Sequence, residues 1–232
     1  MGEPLWLKDV KCPACDFAFK TPRVKPSALK VKSSEPDFHK IYEDVNPLLY
    51  AVTACPNCNY AARNDDFEDK TLEYHPEILK LSAAIRESKK NIVFPQVKEI
   101  DPDAAVKKHL LAVTFAKQHK PEDPLTIAGL NMHIAWIYRE QGNNEKDREY
   151  LKAALEYYVK TFEKGTHIPE KIGVPGIMYL AGELNRVLGN YNEAVLWFSR
   201  TVKSDQISNF PNIEHLARDA WEKITEEKRK KE

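Results

Sequence analysis

The residues best suited to chemistry in this sequence are its four cysteines: Cys12, Cys15, Cys55 and Cys58. They form two Cys-Pro-x-Cys turns, "CPAC" and "CPNC", and each such turn delivers two thiolates to one metal ion. In the cytoplasm, where thiols stay reduced, paired cysteines bind metal more often than they form disulfides. The two turns together predict one four-cysteine zinc site.

The ligand count also predicts what this site does. Four cysteines close the tetrahedral coordination of zinc, whereas a catalytic zinc keeps one position open. The predicted zinc is therefore structural. Four thiolates also hold a single iron, so an electron-transfer site stays open as the alternative. His39 and His75 lack ligand spacing to any cysteine and are interpreted as surface or capping residues.

The residues that flank the cysteines predict the shape of the turns. A left-handed backbone is often needed directly after the second cysteine, where Asn59 tolerates it and Asp16 does so less readily. An aromatic residue comes next in each turn, and we expect Phe17 and Tyr60 to shield the metal.

Composition and charge exclude several classes of protein. The chain has 232 residues, of which 42% are hydrophobic and 30% charged, as in globular domains. A formal net charge of zero gives no global attraction to nucleic acid or to anionic membranes. No apolar run approaches the roughly 18 residues of a membrane helix, and the start of the chain does not resemble a signal peptide. We therefore expect a cytoplasmic protein that does not bind membranes.

Residues 1–64 are predicted to form a small zinc-ribbon-like β unit. The stretches "DFAFK" and "LLYAVTA" are typical of strands, and "DFHKIYEDVNP" indicates a short helical turn. A unit this small buries too little core to fold alone, so a metal would contribute much of its stability. The intervening segment 20–32 is interpreted as a basic loop beside the zinc site, with these cations: Lys20, Arg23, Lys25, Lys30 and Lys32.

The rest of the chain is predicted to be helical. Residues 65–100 are interpreted as an acidic linker and a connecting helix, and residues 101–232 as a helical repeat domain. Asp101 followed by Pro102 indicates the start of one helix, and Gly165 indicates the end of another. About seven helices follow from the hydrophobic periodicity.

Residues 175–208 resemble the tetratricopeptide repeat family, whose unit is a helix–turn–helix of about 34 residues. Small residues stand where two helices must approach, Gly182 in the first and Ala194 in the second, and Phe198 fills a later large position. Thr201 and Gln206 depart from the alanine and proline of that family. A weaker unit begins near Ala128, and its spacing requires an insertion.

The repeat resemblance implies a surface for a partner, because stacked repeats form an extended concave groove. Arg139 and Arg186 take equivalent positions, so their guanidinium groups are expected to hold a peptide carboxylate. Carried over position by position, the groove consists of six residues: Met132, Trp136, Arg139, Tyr179, Glu183 and Arg186.

Three stretches carry a second resemblance: "CPAC", "NPLLYAVTACPNCNYAA" and "AWIYREQG". Together they are similar to a bacterial family of unknown function, which joins two N-terminal CPxC motifs to a C-terminal tetratricopeptide-like helical region. The resemblance covers most of the chain. It implies this architecture and adds no activity.

The fold class expected is α+β, mainly α: a small four-cysteine β unit followed by an antiparallel helical array. The function expected is a zinc-binding adaptor whose helices bind a protein or peptide. One alternative is nucleic-acid binding through residues 20–32, although five scattered cations without interleaved aromatics favour it weakly. The other is an enzyme, for which the sequence shows no nucleophile motif, phosphate loop or acid pair.

Overall fold

The structure is a computed structural model that describes residues 3–68, 76–88, 94, 97–165 and 167–229. His75, one of the two histidines interpreted above, lies outside these residues. Contacts divide the chain into two units. The first unit comprises Met1–Ser34, Lys40–Asp123 and Trp136–Asn143, and the second comprises Glu35–His39, Pro124–Ala135 and Asn144–Glu232. The predicted boundaries after residues 64 and 100 stay a prediction.

The strands form three separate antiparallel pairs, each made of two strands that follow one another in the chain. In chain order they are β1 (Leu5–Lys11), β2 (Ala18–Val24), β3 (Val31–Ser34), β4 (Lys40–Tyr42), β5 (Val52–Ala54) and β6 (Ala61–Arg63). In the first pair Lys11 faces Ala18, and in the third Ala54 faces Ala61. Each cysteine turn therefore connects the two strands of one hairpin.

The segment 20–32 is not the loop that its composition indicated. Lys20 and Arg23 lie in β2, a 3-10 turn covers Pro26–Ala28, and β3 begins at Val31. Proline is rare in central strands, but among the described residues β2 pairs only with β1, so Pro22 is tolerated on its other edge. The helical turn expected in "DFHKIYEDVNP" is also wrong, because its residues 40–42 pair with β3.

The described residues contain seven α-helices, and all lie after the strands. They are α1 (Pro76–Glu87), α2 (Pro102–Ala116), α3 (Pro124–Glu140), α4 (Asn144–Lys164), α5 (Gly173–Leu188), α6 (Tyr191–Val202) and α7 (Pro211–Arg229). The predicted start of α2 is confirmed, since the Asp101 side chain accepts a hydrogen bond from the Ala104 N–H. The mainly helical α+β class is confirmed as well. None of the described helices is both long and apolar enough to cross a membrane.

Close approach between α5 and α6 organises the second unit. Gly189 ends α5 with φ +88°, which favours glycine, and α6 begins two residues later. A Cβ at Gly182 would lie 2.6 Å from Cε1 of Phe198, so only glycine allows this contact. The sequence-based prediction of tight helix contact at Gly182 is therefore confirmed.

Candidate metal centre

The two cysteine turns share one backbone geometry. In each turn, the backbone N–H of the first cysteine donates to the carbonyl of the residue five positions later. The carbonyl of the same cysteine accepts a hydrogen bond from the N–H of the residue four positions later. The four hydrogen bonds are Cys12 to Phe17 (2.9 Å), Asp16 to Cys12 (2.9 Å), Cys55 to Tyr60 (2.8 Å) and Asn59 to Cys55 (2.9 Å).

The residue after each second cysteine has a left-handed backbone. Asp16 has φ 60° and Asn59 has φ 59°, which confirms the conformation predicted for both positions. This conformation reverses the chain, so that both thiols of a turn point to the same side. Asn59 is fully buried, whereas Asp16 is exposed and pairs with Lys11 at 2.7 Å.

The hairpins bring their four sulfurs together. The Cys12 and Cys58 Sγ atoms lie 3.7 Å apart, as do those of Cys15 and Cys55, and all four ligand atoms lie within 4.8 Å of one another. A tetrahedron of sulfurs about 2.3 Å from a central zinc has edges of about 3.8 Å. A disulfide requires about 2.05 Å between sulfurs. The cluster thus fits a metal ion and not a pair of disulfides.

Burial and mutual contact set the proton affinities of these thiols. Cys12, Cys55 and Cys58 are 0% exposed. Hydrogen bonds to Cys55 and Cys58, together with burial, raise the pKa of the Cys12 thiol. Hydrogen bonds from Cys12 and Cys55 lower the pKa of Cys58. Further thiolates in this buried space repel one another, so four ionised ligands require a cation among them.

Two polar side chains beside the sulfurs were missed by sequence reasoning. The Asn57 amide lies 3.4 Å from the Cys15 sulfur. The Ser82 hydroxyl lies beside Cys58 and lowers the pKa of that thiol. Ser82 is 1% exposed on α1, one turn after the fully buried Ile78. A serine in line with a buried apolar residue was the available signal for this contact.

An aromatic cluster packs beside the second turn. Tyr60 is 1% exposed, and its ring centroid lies 5.3 Å from that of Phe67 and 5.2 Å from that of Phe115. The shielding predicted for Phe17 is wrong, because its side chain is 44% exposed and only stacks on Phe19. The apolar surroundings of the four sulfurs therefore come from the side of the site where Tyr60 lies.

His39 is not the surface residue that the sequence indicated. Its side chain is 1% exposed, and its Nδ1 atom lies 2.9 Å from a carboxylate oxygen of Glu35. Sequence reasoning missed this burial because residues 35–39 are grouped with the second unit, whose other residues begin only at Pro124.

The six predicted groove residues lie in different environments. Three are buried (Met132, Tyr179 and Glu183) and three are half-buried (Trp136, Arg139 and Arg186). Trp136 and Arg139 belong to the first unit, and the other four belong to the second. Arg186 makes two hydrogen bonds to the Glu183 carboxylate, at 2.9 and 2.8 Å. Their joint role as a groove stays a prediction.

Three of the five cations in residues 20–32 contact groups of the chain itself. Lys20 pairs with Asp9 at 3.5 Å, and Lys30 pairs with Asp44 at 3.5 Å. Arg23 donates to the Thr53 hydroxyl at 2.8 Å, and burial lowers the pKa of its guanidinium. These contacts reduce the charge that the segment offers to an external anion.

Comparison with known protein families gives a match over most of the chain. A sequence model of the family described as "Uncharacterized protein conserved in bacteria (DUF2225)" matches residues 5–224. No curated protein matches the chain, and no solved structure matches it.

Proposed function

This chain belongs to the bacterial family DUF2225, whose description names no activity, and from the site itself we propose that it is a zinc-binding adaptor whose helices bind a protein or peptide. The zinc has a structural role. Its ligands are the four cysteines of the two hairpin turns: Cys12, Cys15, Cys55 and Cys58.

The observation that carries the proposal is the spacing of the sulfurs. Two of their separations are 3.7 Å, close to the edge of about 3.8 Å in a zinc–thiolate tetrahedron. Iron accepts the same four ligands, and elemental analysis distinguishes the two metals. We favour zinc because a closed four-thiolate site in a reducing compartment is its commonest structural use.

A structural role follows from the ligands and from the strands. Four protein ligands leave no coordination position for a substrate. The hairpins that present the cysteines are only two-stranded, and isolated hairpins are marginally stable. Metal binding would contribute folding free energy by joining the β1–β2 hairpin to the β5–β6 hairpin.

Partner binding is assigned to the helices from α3 to α7. Antiparallel helix pairs with close contacts, such as α5 with α6 at Gly182, support a repeat-like array. Within it, Arg186 offers a guanidinium that is only partly buried and is held in place by Glu183. Arg139, at the equivalent repeat position on α3, is the second candidate for a peptide carboxylate.

Two measurements test the proposal together. Chain purified from metal-replete cells is analysed for zinc and iron, and partner capture from the native host is compared between wild type and the Arg139→Ala, Arg186→Ala double variant. Arg218→Ala is the matched control, because Arg218 also pairs with an acid, Glu214, on the exposed face of α7. We expect zinc, and capture that is lost only in the double variant. Capture unchanged in that variant would contradict the assignment of the groove.

Nucleic-acid binding through residues 20–32 remains the second candidate, because β2 and the residues after it carry the five cations. A gel shift that weakens with salt and disappears with Lys25→Ala and Lys32→Ala would support it. Absence of a shift at low salt would eliminate it.

A further inference from the structure

Residues 35–39, Glu-Pro-Asp-Phe-His, are the hairpin tip between β3 and β4, and they are grouped with the helices of the second unit. The Tyr179 hydroxyl on α5 donates to the Pro36 carbonyl at 2.9 Å. The Phe38 ring lies 5.4 Å from the Tyr179 ring. The tip thus gives α5 both a backbone acceptor and an aromatic side chain.

The tip also buries polar groups. Asp37 is 3% exposed, and its carboxylate accepts from the His39 N–H at 3.3 Å. Tyr158 of α4 is buried. Burial is the larger cause that raises the pKa of its phenol, and the charge of Asp37 raises that pKa further. An acid from the tip therefore lies near α4, while the neighbouring Phe38 packs on α5.

The backbone of the tip conflicts with its sequence. The Phe38 N–H donates to the Glu35 carbonyl at 3.0 Å, and the Glu35 N–H donates to the His39 carbonyl at 2.7 Å. Phe38 has φ +71°, in the left-handed region that hairpins of this kind normally fill with glycine. A bulky residue with positive φ is strained.

The contact of the Phe38 ring explains why an aromatic stands at this position. Phe38 packs against a buried cluster on three helices: Tyr179, Ala194, Phe198, Ala217, Ala220 and Ile224. The local turn preference is overridden by binding to the helices. Conflicts of this kind between local preference and tertiary contact concentrate at functional sites.

We propose that the second unit is a receptor for a short polypeptide turn in which an acidic residue precedes an aromatic one, and that residues 35–39 are the chain's own copy of that ligand. The inference rests on the proposed function, since it names the chemistry of the partner. The occupant is a turn of a separate protein that presents the carbonyl, carboxylate and ring groups seen at Pro36, Asp37 and Phe38. Because the resident turn is strained, an unstrained turn with these groups displaces it.

The test uses a fluorescent peptide of residues 33–41, cyclised through its ends, and the full metal-loaded chain. Phe38→Gly in the chain suits the backbone at φ +71° and removes only the resident ring. We expect the peptide to bind this variant at least about tenfold more tightly than wild type, because the resident competitor is weakened. A peptide with Phe38→Ala is the matched control and should not bind.

A second pair of variants keeps the test decisive if Phe38→Gly does not fold. Asp37→Asn in the chain also weakens the resident turn and should increase peptide affinity. The same peptide with Asp37→Asn should not show that increase, because it lacks the carboxylate that the resident turn has lost. No binding to any folded variant would overturn the proposal.

Oligomerisation gives the remaining outcome. It is that the wild-type chain forms dimers as its concentration rises and that the peptide dissociates them. In that case the occupant is the tip of a second copy of the chain, and the assignment to a separate partner is overturned. The peptide assay requires neither metal analysis nor host lysate. Its failure alongside normal zinc content and partner capture would overturn this inference and leave the proposed function intact.

Discussion

The sulfur of Cys12 lies 3.7 Å from the sulfur of Cys58, although the two residues are 46 positions apart in the chain. The first cysteine of one turn thus meets the second cysteine of the other, and Cys15 meets Cys55 at the same distance. Two hairpins with the same backbone hydrogen bonds therefore face each other as matched halves of one site.

The contact between Ser82 and Cys58 predicts a graded effect on metal affinity. Ser82→Ala removes a hydroxyl that lowers the pKa of the Cys58 thiol but leaves all four ligands. Loss of such an outer contact typically weakens metal binding by about 10–100-fold. Competition with a zinc chelator measures the affinity. Ser88→Ala, at an exposed serine that donates to the Ile85 carbonyl, is the control and should match wild type. Equal affinities for both variants would exclude the role of Ser82.

The left-handed backbone at Asp16 predicts a stabilising substitution. Asp16→Gly relieves the strain of φ 60° but also removes the ion pair with Lys11. Asp16→Ala removes the same ion pair and retains a Cβ, so it isolates the backbone effect. We expect the glycine variant to exceed the alanine variant by about 1 kcal/mol in free energy of unfolding, measured in urea. An alanine variant of equal stability would mean that the turn carries no strain.

The contact between Gly182 and Phe198 predicts opposite effects at two helical glycines. Gly182→Ala places a methyl group 2.6 Å from the Phe198 ring and should destabilise the chain by about 1–3 kcal/mol. Gly129→Ala on α3 meets no heavy atom within 4 Å and should stabilise it by up to about 1 kcal/mol through helix propensity. Urea midpoints that move in the same direction would contradict the packing described here.

Lys108 predicts a pH-dependent stability. Its side chain is 8% exposed, its ammonium lies 5.6 Å from the centroid of the Phe94 ring, and burial followed by the charge of Arg23 lowers its pKa from 10.5 to about 8. Between these values the unfolded chain binds more protons than the folded chain, so stability rises with pH. Below about pH 8 both states are protonated and the full penalty applies.

Lys108→Met should therefore be more stable than wild type at pH 7 by up to about 3 kcal/mol in free energy of unfolding. Its stability should not rise between pH 8 and 10.5, whereas that of wild type does. Unfolding in urea across this range measures both effects. Lys107→Met, at the exposed neighbour on the same helix, is the control and should keep the wild-type slope. A Lys108→Met slope identical to that of the control would contradict burial of this ammonium.

The features predicted correctly from the sequence depend on few neighbouring residues. The left-handed positions Asp16 and Asn59 follow from the spacing of the cysteines, and the cap at Asp101 follows from the proline after it. Gly182 was found because the repeat pattern fixes where two adjacent helices approach. Because the residues that determine these features are close together in the sequence, the features can be predicted without knowledge of the rest of the fold.

The features missed depend on partners outside the stretch of sequence that was read for each of them. The strand at Ala18–Val24 was taken in part for a loop, because its composition is basic and contains Pro22, while its pairing with β1 decides its structure. The packing of Phe38 depends on helices more than a hundred residues later, and the hydrogen bond from Tyr179 to Pro36 spans 143 positions. No local pattern encodes these contacts.

The most direct test of the central claim is the metal content of the purified chain, combined with titration of its thiols. Chain from metal-replete cells should contain about one zinc ion, with the four cysteines unreactive until a chelator removes the metal. Chelation should also unfold the strands that present the cysteines, seen as a loss of their amide protection from hydrogen exchange. A folded chain that contains no metal and has four freely reactive thiols would contradict the account.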